Sequence, residues 1–201
     1  MNQTIHPAVI LDFGSQFTQL IARRIREMQI YSVIVPCNIA FDRLVQMSPQ
    51  ALILSGGPSS VYGPASPVCD ERVLKMGLPV LCICYGLQWM SYKLGGKVEP
   101  AARREYGFAQ LDAAGPGEIL KGIPTPLRVW NSHGDHVTAV PPGFQITGRT
   151  ENAVSVIENS QQKQYAVEFH PEVRHTDHGS QILKNFVQAS AASSPTGSRA
   201  L

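Results

Sequence analysis

The sequence has few of the features that direct a chain into a membrane or onto nucleic acid. No apolar run approaches the roughly 20 residues that a bilayer-spanning helix needs, and the first residues lack the charged and apolar regions of a secretory signal. The 17 basic and 15 acidic residues give a net charge of only +2, and no basic block is present. We therefore expect neither a membrane nor a nucleic-acid partner.

Cysteine is also scarce. The four cysteines, Cys37, Cys69, Cys82 and Cys84, do not have the spacing of a disulfide framework. Cys82 and Cys84 could form a metal or redox pair, but no second ligand pair lies nearby, which disfavours zinc. We expect reduced thiols in a cytoplasmic protein.

The first half of the chain alternates strand-like and helix-like segments. Apolar runs closed by glycine or proline predict strands at Ala8–Phe13, Ser32–Pro36, Ala51–Ser55 and Pro79–Cys84. Apolar residues at helical spacing predict a helix after each strand, including one near Val68–Met76. Four such units in succession favour a parallel sheet covered by helices on both faces.

After Leu94 the pattern changes to shorter strands joined by proline and glycine turns. We predict strands at Ala109–Ala113, Leu127–Trp130, His136–Val140, Phe144–Arg149, Val154–Glu158 and Tyr165–Phe169, then a helix at Gln181–Val187. The predicted fold class is α/β: a flavodoxin-like, mostly parallel sheet with helices on both faces and a small antiparallel extension. We expect one domain over residues 1–189 and a disordered Ala/Ser-rich tail over residues 190–201.

Cys84 lies where a buried strand-like run ends in Cys-Tyr-Gly and a helix begins. This pattern is typical of a nucleophile elbow, in which a strained turn exposes the reactive side chain. The start of a helix also favours a thiolate over a thiol. The alternative is that Cys84 is a small apolar residue closing a core strand, as many free cysteines are.

His170 and Glu172 follow a second strand-like run, Tyr165–Phe169. Alternate residues on an extended segment point the same way, so Glu172 can orient the ring of His170. A cysteine, a histidine and an acid suggest acyl-transfer chemistry on an amide. The chain order alone leaves open whether Cys84 and His170 meet in space.

Two polar turns also follow strands. The turn Ser55–Ser60 lacks the acidic residue of the ATP-pyrophosphatase loop that it resembles superficially. It is either a plain glycine turn or a source of the Gly57 N–H for an oxyanion hole, with the Tyr85 N–H as the second donor. The segment Trp130–Asp135 we interpret as a loop for substrate recognition or a simple surface loop, in preference to a metal site that involves His133.

Four stretches together resemble class I (triad-type) glutamine amidotransferases. They are Leu11–Gln19, Ser55–Pro58, Cys84–Gln88 and Phe169–Glu172. The first of these, with Arg104–Gly107 and Trp130–Asp135, narrows the resemblance to the glutaminase part of GMP synthetases.

The resemblance implies a fold and a set of roles. Cys84 would attack the side-chain amide of glutamine, His170 would protonate the departing ammonia, and Glu172 would hold the imidazole. Gly57 and Tyr85 match the positions whose backbone N–H groups form the oxyanion hole in this family. The positions that match the binding site for the amino-acid end of glutamine are Gln88, Ser132, His133, Gly134 and Asp135.

The resemblance also implies a partner. An ATP-pyrophosphatase (synthetase) subunit or domain would use the ammonia to convert XMP to GMP, and ATP and Mg²⁺ would bind there, with no cofactor expected in this chain. The sequence departs from the family pattern at Cys82, where the elbow normally has glycine, and at Arg174, where a small polar residue is usual.

Other functions stay open at this point. They are an amidotransferase of another pathway, such as anthranilate or carbamoyl-phosphate synthesis, a γ-glutamyl hydrolase, and a flavodoxin-like binding module that the altered elbow leaves catalytically impaired.

Overall fold

The computed structural model describes residues 6–191 of the chain, without the side chains of residues 102–104 and 191. In this part of the chain the strands are β1 (Ala8–Asp12), β2 (Ser32–Pro36), β3 (Ala51–Leu54), β4 (Val80–Ile83), β5 (Lys97–Ala113), β6 (Leu127–Ala139), β7 (Gln145–Arg149), β8 (Val154–Asn159) and β9 (Gln164–Val167). The helices are α1 (Thr18–Glu27), α2 (Phe41–Gln46), α3 (Tyr85–Lys93) and α4 (Gly179–Ala191), with a 3₁₀ helix at Glu71–Lys75.

The strands form one mixed sheet in the order β2-β1-β3-β4-β9-β8-β7-β5-β6. The pairs from β2 to β9 are parallel, whereas the pairs from β9 to β6 are antiparallel. Strand β9 therefore joins the two halves, with parallel β4 on one side and antiparallel β8 on the other. The predicted fold class, a mostly parallel α/β sheet with an antiparallel extension, is confirmed.

Helices cover both faces of the parallel half. Alternate residues of β1, such as Ile10 and Leu11, belong to two separate apolar cores because side chains along a strand alternate between faces. The first core contains residues of α1 and α4, including Ile21 and Phe186. The second contains residues of α2 and α3, including Leu44. The near-continuous apolar strands of the sequence reflect this burial on both faces.

The structure differs from the sequence prediction in four segments. Strand β5, predicted over Ala109–Ala113, begins already at Lys97. Residues 130–135, interpreted as a loop, belong to β6, which is one continuous strand where two were predicted. They are strand because they pair with the long strand β5, including Tyr106 with Ser132. The helix predicted near Val68–Met76 is only a 3₁₀ helix, which begins after the capping side chain of Asp70. The last helix is longer than predicted, and the remainder of the predicted tail, residues 192–201, lies outside the described residues.

Candidate active site

Cys84 lies at a sharp turn between β4 and α3. Its backbone angles, φ 51° and ψ −111°, are strained for a residue with a side chain. The following turn of helix packs so tightly on β3 that a β carbon at Gly86 would lie 2.6 Å from the carbonyl oxygen of Leu54. The strand, the strained cysteine and the close glycine have the geometry of a nucleophile elbow.

Neighbouring strands bring Cys84 and His170 together. Strands β4 and β9 are parallel and adjacent, and the Cys84 N–H donates to the Val167 carbonyl at 2.8 Å. Both side chains therefore lie beyond the carboxyl ends of adjacent strands, at one edge of the sheet. Both residues lie beside Gly56, and the imidazole is close enough to the Cys84 thiol to lower its pKa. The Cys84 sulfur lies 3.8 Å from the carbonyl oxygen of Ser132. The spatial meeting that chain order left open is present in the structure.

Glu172 holds the other side of the imidazole. Nδ1 of His170 lies 2.8 Å from Oε1 of Glu172, and both side chains are almost completely buried. The hydroxyl of Thr176 donates to the His170 carbonyl at 2.7 Å, and the ring of Phe17 packs edge-on against the imidazole with 5.1 Å between ring centroids. The ring is thus fixed with Nδ1 toward the carboxylate, which leaves Nε2 for Cys84.

Burial and charge act against each other on these two groups. Burial raises the pKa of the Cys84 thiol, whereas the hydrogen bond and charge of His170 lower it. Burial alone lowers the pKa of His170, but the charge of Glu172 and the hydrogen bonds to Cys84 and Glu172 outweigh it and raise this pKa well above its ordinary value. The pKa of the thiol is raised overall, contrary to the thiolate expected from the helix start, and His170 is the group that lowers it most.

The sulfur and the imidazole open into a cleft of about 610 Å³. Eight of the ten residues predicted for the site line it, namely Gly57, Cys84, Gln88, Ser132, His133, Gly134, Asp135 and His170. The other two, Tyr85 and Glu172, lie behind this surface. The backbone N–H of Tyr85 lies close enough to the Cys84 sulfur to lower the pKa of the thiol. Gly57 lines the same cleft as Cys84, and this arrangement is compatible with an oxyanion hole.

A hydrogen-bond network supports the far wall of the cleft. Nε2 of Gln88 and Nδ1 of His133 both lie 3.0 Å from the carbonyl oxygen of Asp135, and Nε2 of His133 lies 3.1 Å from Oε2 of Glu105. Both ring nitrogens of His133 face acceptors, an arrangement that favours the doubly protonated, cationic ring. Burial lowers the pKa of His133, but the charges of Glu168 and Glu105 raise it overall.

Sequence reasoning missed three residues of this site. Gly56 lies between the elbow and the imidazole, Glu105 anchors His133, and Glu168 is a fully buried carboxyl that accepts from Gln88 at 2.7 Å. An acidic residue at the end of an apolar strand was a usable signal for Glu168, since buried acids are uncommon. Glu105 gave no such signal, because its partner lies on another strand.

A metal site has no support in residues 6–191, where no group of three or more His, Cys, Asp or Glu is placed to hold an ion. No helix in this part of the chain has the length and apolar character to cross a membrane.

The fold and the elbow identify the class of protein. The model of the glutamine amidotransferase class-I family matches residues 9–189, so the chain belongs to that family. This confirms the resemblance found in the sequence.

Within this family, the chain is similar to proteins named GMP synthase. A GMP synthase [glutamine-hydrolyzing] of Syntrophomonas wolfei is 49% identical over 180 residues, and one of Maridesulfovibrio salexigens is 51% identical over 182 residues. Each match covers 89% of this chain and 35% of the relative, so the chain spans about a third of the length of these proteins.

Solved structures agree with the fold. A Thermoplasma acidophilum protein provisionally named as a GMP synthase subunit has a TM-score of 0.82 and 28% identity, over 94% of this chain and 95% of its own. A glutamine amidotransferase of Thermotoga maritima has a TM-score of 0.67 at 20% identity, over 93% of this chain and 83% of its own, and shows likeness of fold alone.

Proposed function

We propose that this chain hydrolyses glutamine to glutamate and ammonia through a Cys84–His170–Glu172 triad. The observation that carries the proposal is the grouping of thiol, imidazole and buried carboxylate at the end of the cleft, with Nδ1 of the imidazole 2.8 Å from the carboxylate. Membership of the class-I glutamine amidotransferase family supports glutamine as the amide substrate that binds in the cleft.

The first half of the reaction forms a thioester. His170 takes the proton of Cys84, and the sulfur attacks the side-chain carbonyl carbon of glutamine. The carbonyl oxygen becomes an oxyanion, which the Gly57 and Tyr85 N–H groups stabilise. As the tetrahedral intermediate collapses, the carbon–nitrogen bond breaks, and His170 returns its proton to the departing nitrogen, which leaves as ammonia.

The second half consumes one water molecule. His170 removes a proton from water, and the resulting hydroxide attacks the thioester carbon. The carbon–sulfur bond breaks, Cys84 regains its proton, and glutamate leaves. In both halves the role of Glu172 is to orient the imidazole and stabilise its cationic form.

The ammonia serves GMP synthesis in this proposal. The support is the identity of about 50% to proteins named GMP synthase, whose remaining length would contain the ATP- and Mg²⁺-dependent synthetase. That synthetase, an ATP-pyrophosphatase, would use the ammonia to convert XMP to GMP.

The glutaminase half is tested with 6-diazo-5-oxo-norleucine, a glutamine-derived electrophile. We expect stoichiometric labelling of Cys84, protection by glutamine, and release of ammonia from glutamine by the parent chain. Cys84→Ala should lower hydrolysis roughly ten-thousand-fold or more while the circular dichroism spectrum stays unchanged. Cys37→Ser, a thiol variant outside the cleft, is the matched control and should label normally. Full activity of Cys84→Ala would refute the nucleophile.

The partner half is tested by mixing the chain with an ATP-pyrophosphatase subunit, XMP, ATP, Mg²⁺ and glutamine. GMP formation that depends on Cys84 supports the proposal. Ammonia release without transfer to XMP, or transfer to another acceptor, argues for a different pathway.

A further inference from the structure

Glu168 is a buried acid in the site that the proposed reaction does not use. It follows β9, two residues before His170, and its side chain is fully buried. Its Oε1 accepts a hydrogen bond from Nε2 of Gln88 at 2.7 Å, whereas its Oε2 makes no hydrogen bond with the described residues. A carboxyl buried at such cost is retained for a reason other than packing.

The contacts of Gln88 fix which end of its amide faces the cleft. Its Nε2 is in contact with the carbonyl oxygen of Asp135 at 3.0 Å and with Oε1 of Glu168. A backbone carbonyl can only accept, so the nitrogen must be on this side and both its hydrogens are used. No described residue donates to Oε1 of Gln88, and this atom is not among the fully enclosed polar atoms without a partner. The carbonyl oxygen of Gln88 therefore faces the cleft as an acceptor.

The cleft thus presents acceptors on one wall. Asp135, whose backbone carbonyl accepts from Gln88, also lines the cleft and carries a carboxylate. Two acceptors side by side favour a cationic donor in the ligand, and the α-ammonium group is the cationic donor of glutamine.

We propose that Glu168 is a positioning residue whose carboxyl holds the Gln88 amide so that its oxygen accepts a hydrogen bond from the α-ammonium group of the substrate. This inference rests on the proposed function, because it takes glutamine as the ligand. It adds a role for a residue that touches neither the substrate nor the triad.

Three titratable residues, His133, His170 and Glu105, act on the pKa of Glu168. Burial has the largest effect and raises the pKa of Glu168. His133 and His170 lower this pKa, and Glu105 raises it, so that the net value is about 7. The charge of Glu168 also raises the pKa of the Cys84 thiol. Both protonation states leave Oε1 able to accept from Gln88, so positioning does not require an ionised Glu168.

The test compares two substrates that differ only in the α-ammonium group: glutamine and glutaramate, which lacks it. Glu168→Leu removes the acceptor at nearly the same volume, which frees the Gln88 amide to turn. We expect KM for glutamine to rise roughly tenfold or more, as for loss of a hydrogen bond to a charged group, with a much smaller change in kcat. KM for glutaramate should change less than twofold. Glu168→Gln, which keeps an acceptor oxygen, should restore the parent KM for glutamine.

Two controls separate positioning from general damage. Glu158→Gln changes another buried glutamate, whose partners are the Glu118 and Ile119 N–H groups and Thr147, and should leave both KM values unchanged. Glutamine and glutaramate binding to Cys84→Ala, with and without Glu168→Leu, gives the same comparison by calorimetry without turnover.

The outcomes separate the two proposals. An equal rise in KM for both substrates, or no rise in Glu168→Leu, overturns the role of Glu168 while glutaminase activity stands. A parent chain that neither hydrolyses nor binds glutamine overturns the proposed function and this inference with it.

Discussion

Gly56 packs directly against the imidazole of His170: a β carbon placed on Gly56 would lie 3.1 Å from Cε1 of that ring. The same β carbon would lie 3.5 Å from Cβ of Cys84. The thiol and the imidazole can approach each other because the residue beside both has no side chain. Gly56 therefore does more than form the turn that the sequence predicted, because it also leaves room for the thiol and the imidazole.

Replacing Gly56 with alanine should damage catalysis more than folding. The added methyl group meets the imidazole and the elbow, so we expect kcat to fall roughly tenfold or more, since small displacements of catalytic groups are costly. The midpoint of thermal unfolding should change by only a few degrees. Gly115→Ala, whose added carbon would lie 3.4 Å from the Ile146 carbonyl, is the control and should keep full activity. A fully active Gly56→Ala would contradict this interpretation of the contact.

His170→Ala should be more harmful than Glu172→Ala. The first removes the group that moves the proton, which is worth roughly 100- to 10,000-fold, whereas the second removes only its orientation and charge. Steady-state ammonia release measures both. Equal rates for the two variants and the parent would exclude the triad.

The pKa of His170 should depend on the charge of Glu172. Because that carboxylate raises the pKa, Glu172→Gln should lower it and shift the loss of the imidazole proton to lower pH. NMR titration of the His170 ring in the two proteins measures the shift directly.

Cys82→Gly should preserve turnover and weaken the fold. The Cys82 side chain is fully buried, and its sulfur lies 3.6 Å from the sulfur of Met90 in the second core, on the face of the sheet away from the core that contains Cys84. Glycine there leaves a small cavity and a looser strand, which should cost roughly 1–3 kcal/mol of unfolding free energy. Denaturant unfolding and ammonia release check the two parts. Cys69→Ala is a control in the same core, and a collapse of the rate in Cys82→Gly alone would assign Cys82 a role of its own.

Glu168→Gln should become more stable relative to the parent as pH rises. Burial raises the pKa of Glu168 from 4.5 to about 7, so between these values the unfolded chain has lost a proton that the folded chain keeps. The unfolding free energy of the parent therefore falls as pH rises through this window, by up to about 3 kcal/mol from this group. Urea unfolding at pH 5 and pH 7.5 measures the difference, and a gap between the two proteins that is the same at both pH values would contradict the raised pKa.

The sequence predicted the parallel half of the fold well because its strands are buried on both faces. Runs such as Ala8–Leu11 are apolar throughout, and the glycines that follow them mark the turns. The elbow was also predictable, because its strand, cysteine, glycine and helix follow one another directly in the chain.

The antiparallel half was less predictable. Residues 130–135 are rich in polar side chains, which indicates a loop, yet pairing with β5 makes them strand. The contacts of Glu105 and Glu168 depend on partners 28 and 80 residues away. No local pattern encodes such distances, so the hydrogen bonds that support the wall of the cleft could not be predicted from the sequence.

The position of β9 in the sheet has a practical consequence for studying the enzyme in action. The connection between β8 and β9, residues 160–163, lies at the end of the sheet opposite Cys84 and His170, because β9 runs parallel to β4 and the reacting groups follow the far ends of both strands. A fluorescent reporter or a surface tether attached at Gln161 would therefore leave the mouth of the cleft unobstructed. It would let turnover of glutamine be followed on a labelled or immobilised chain.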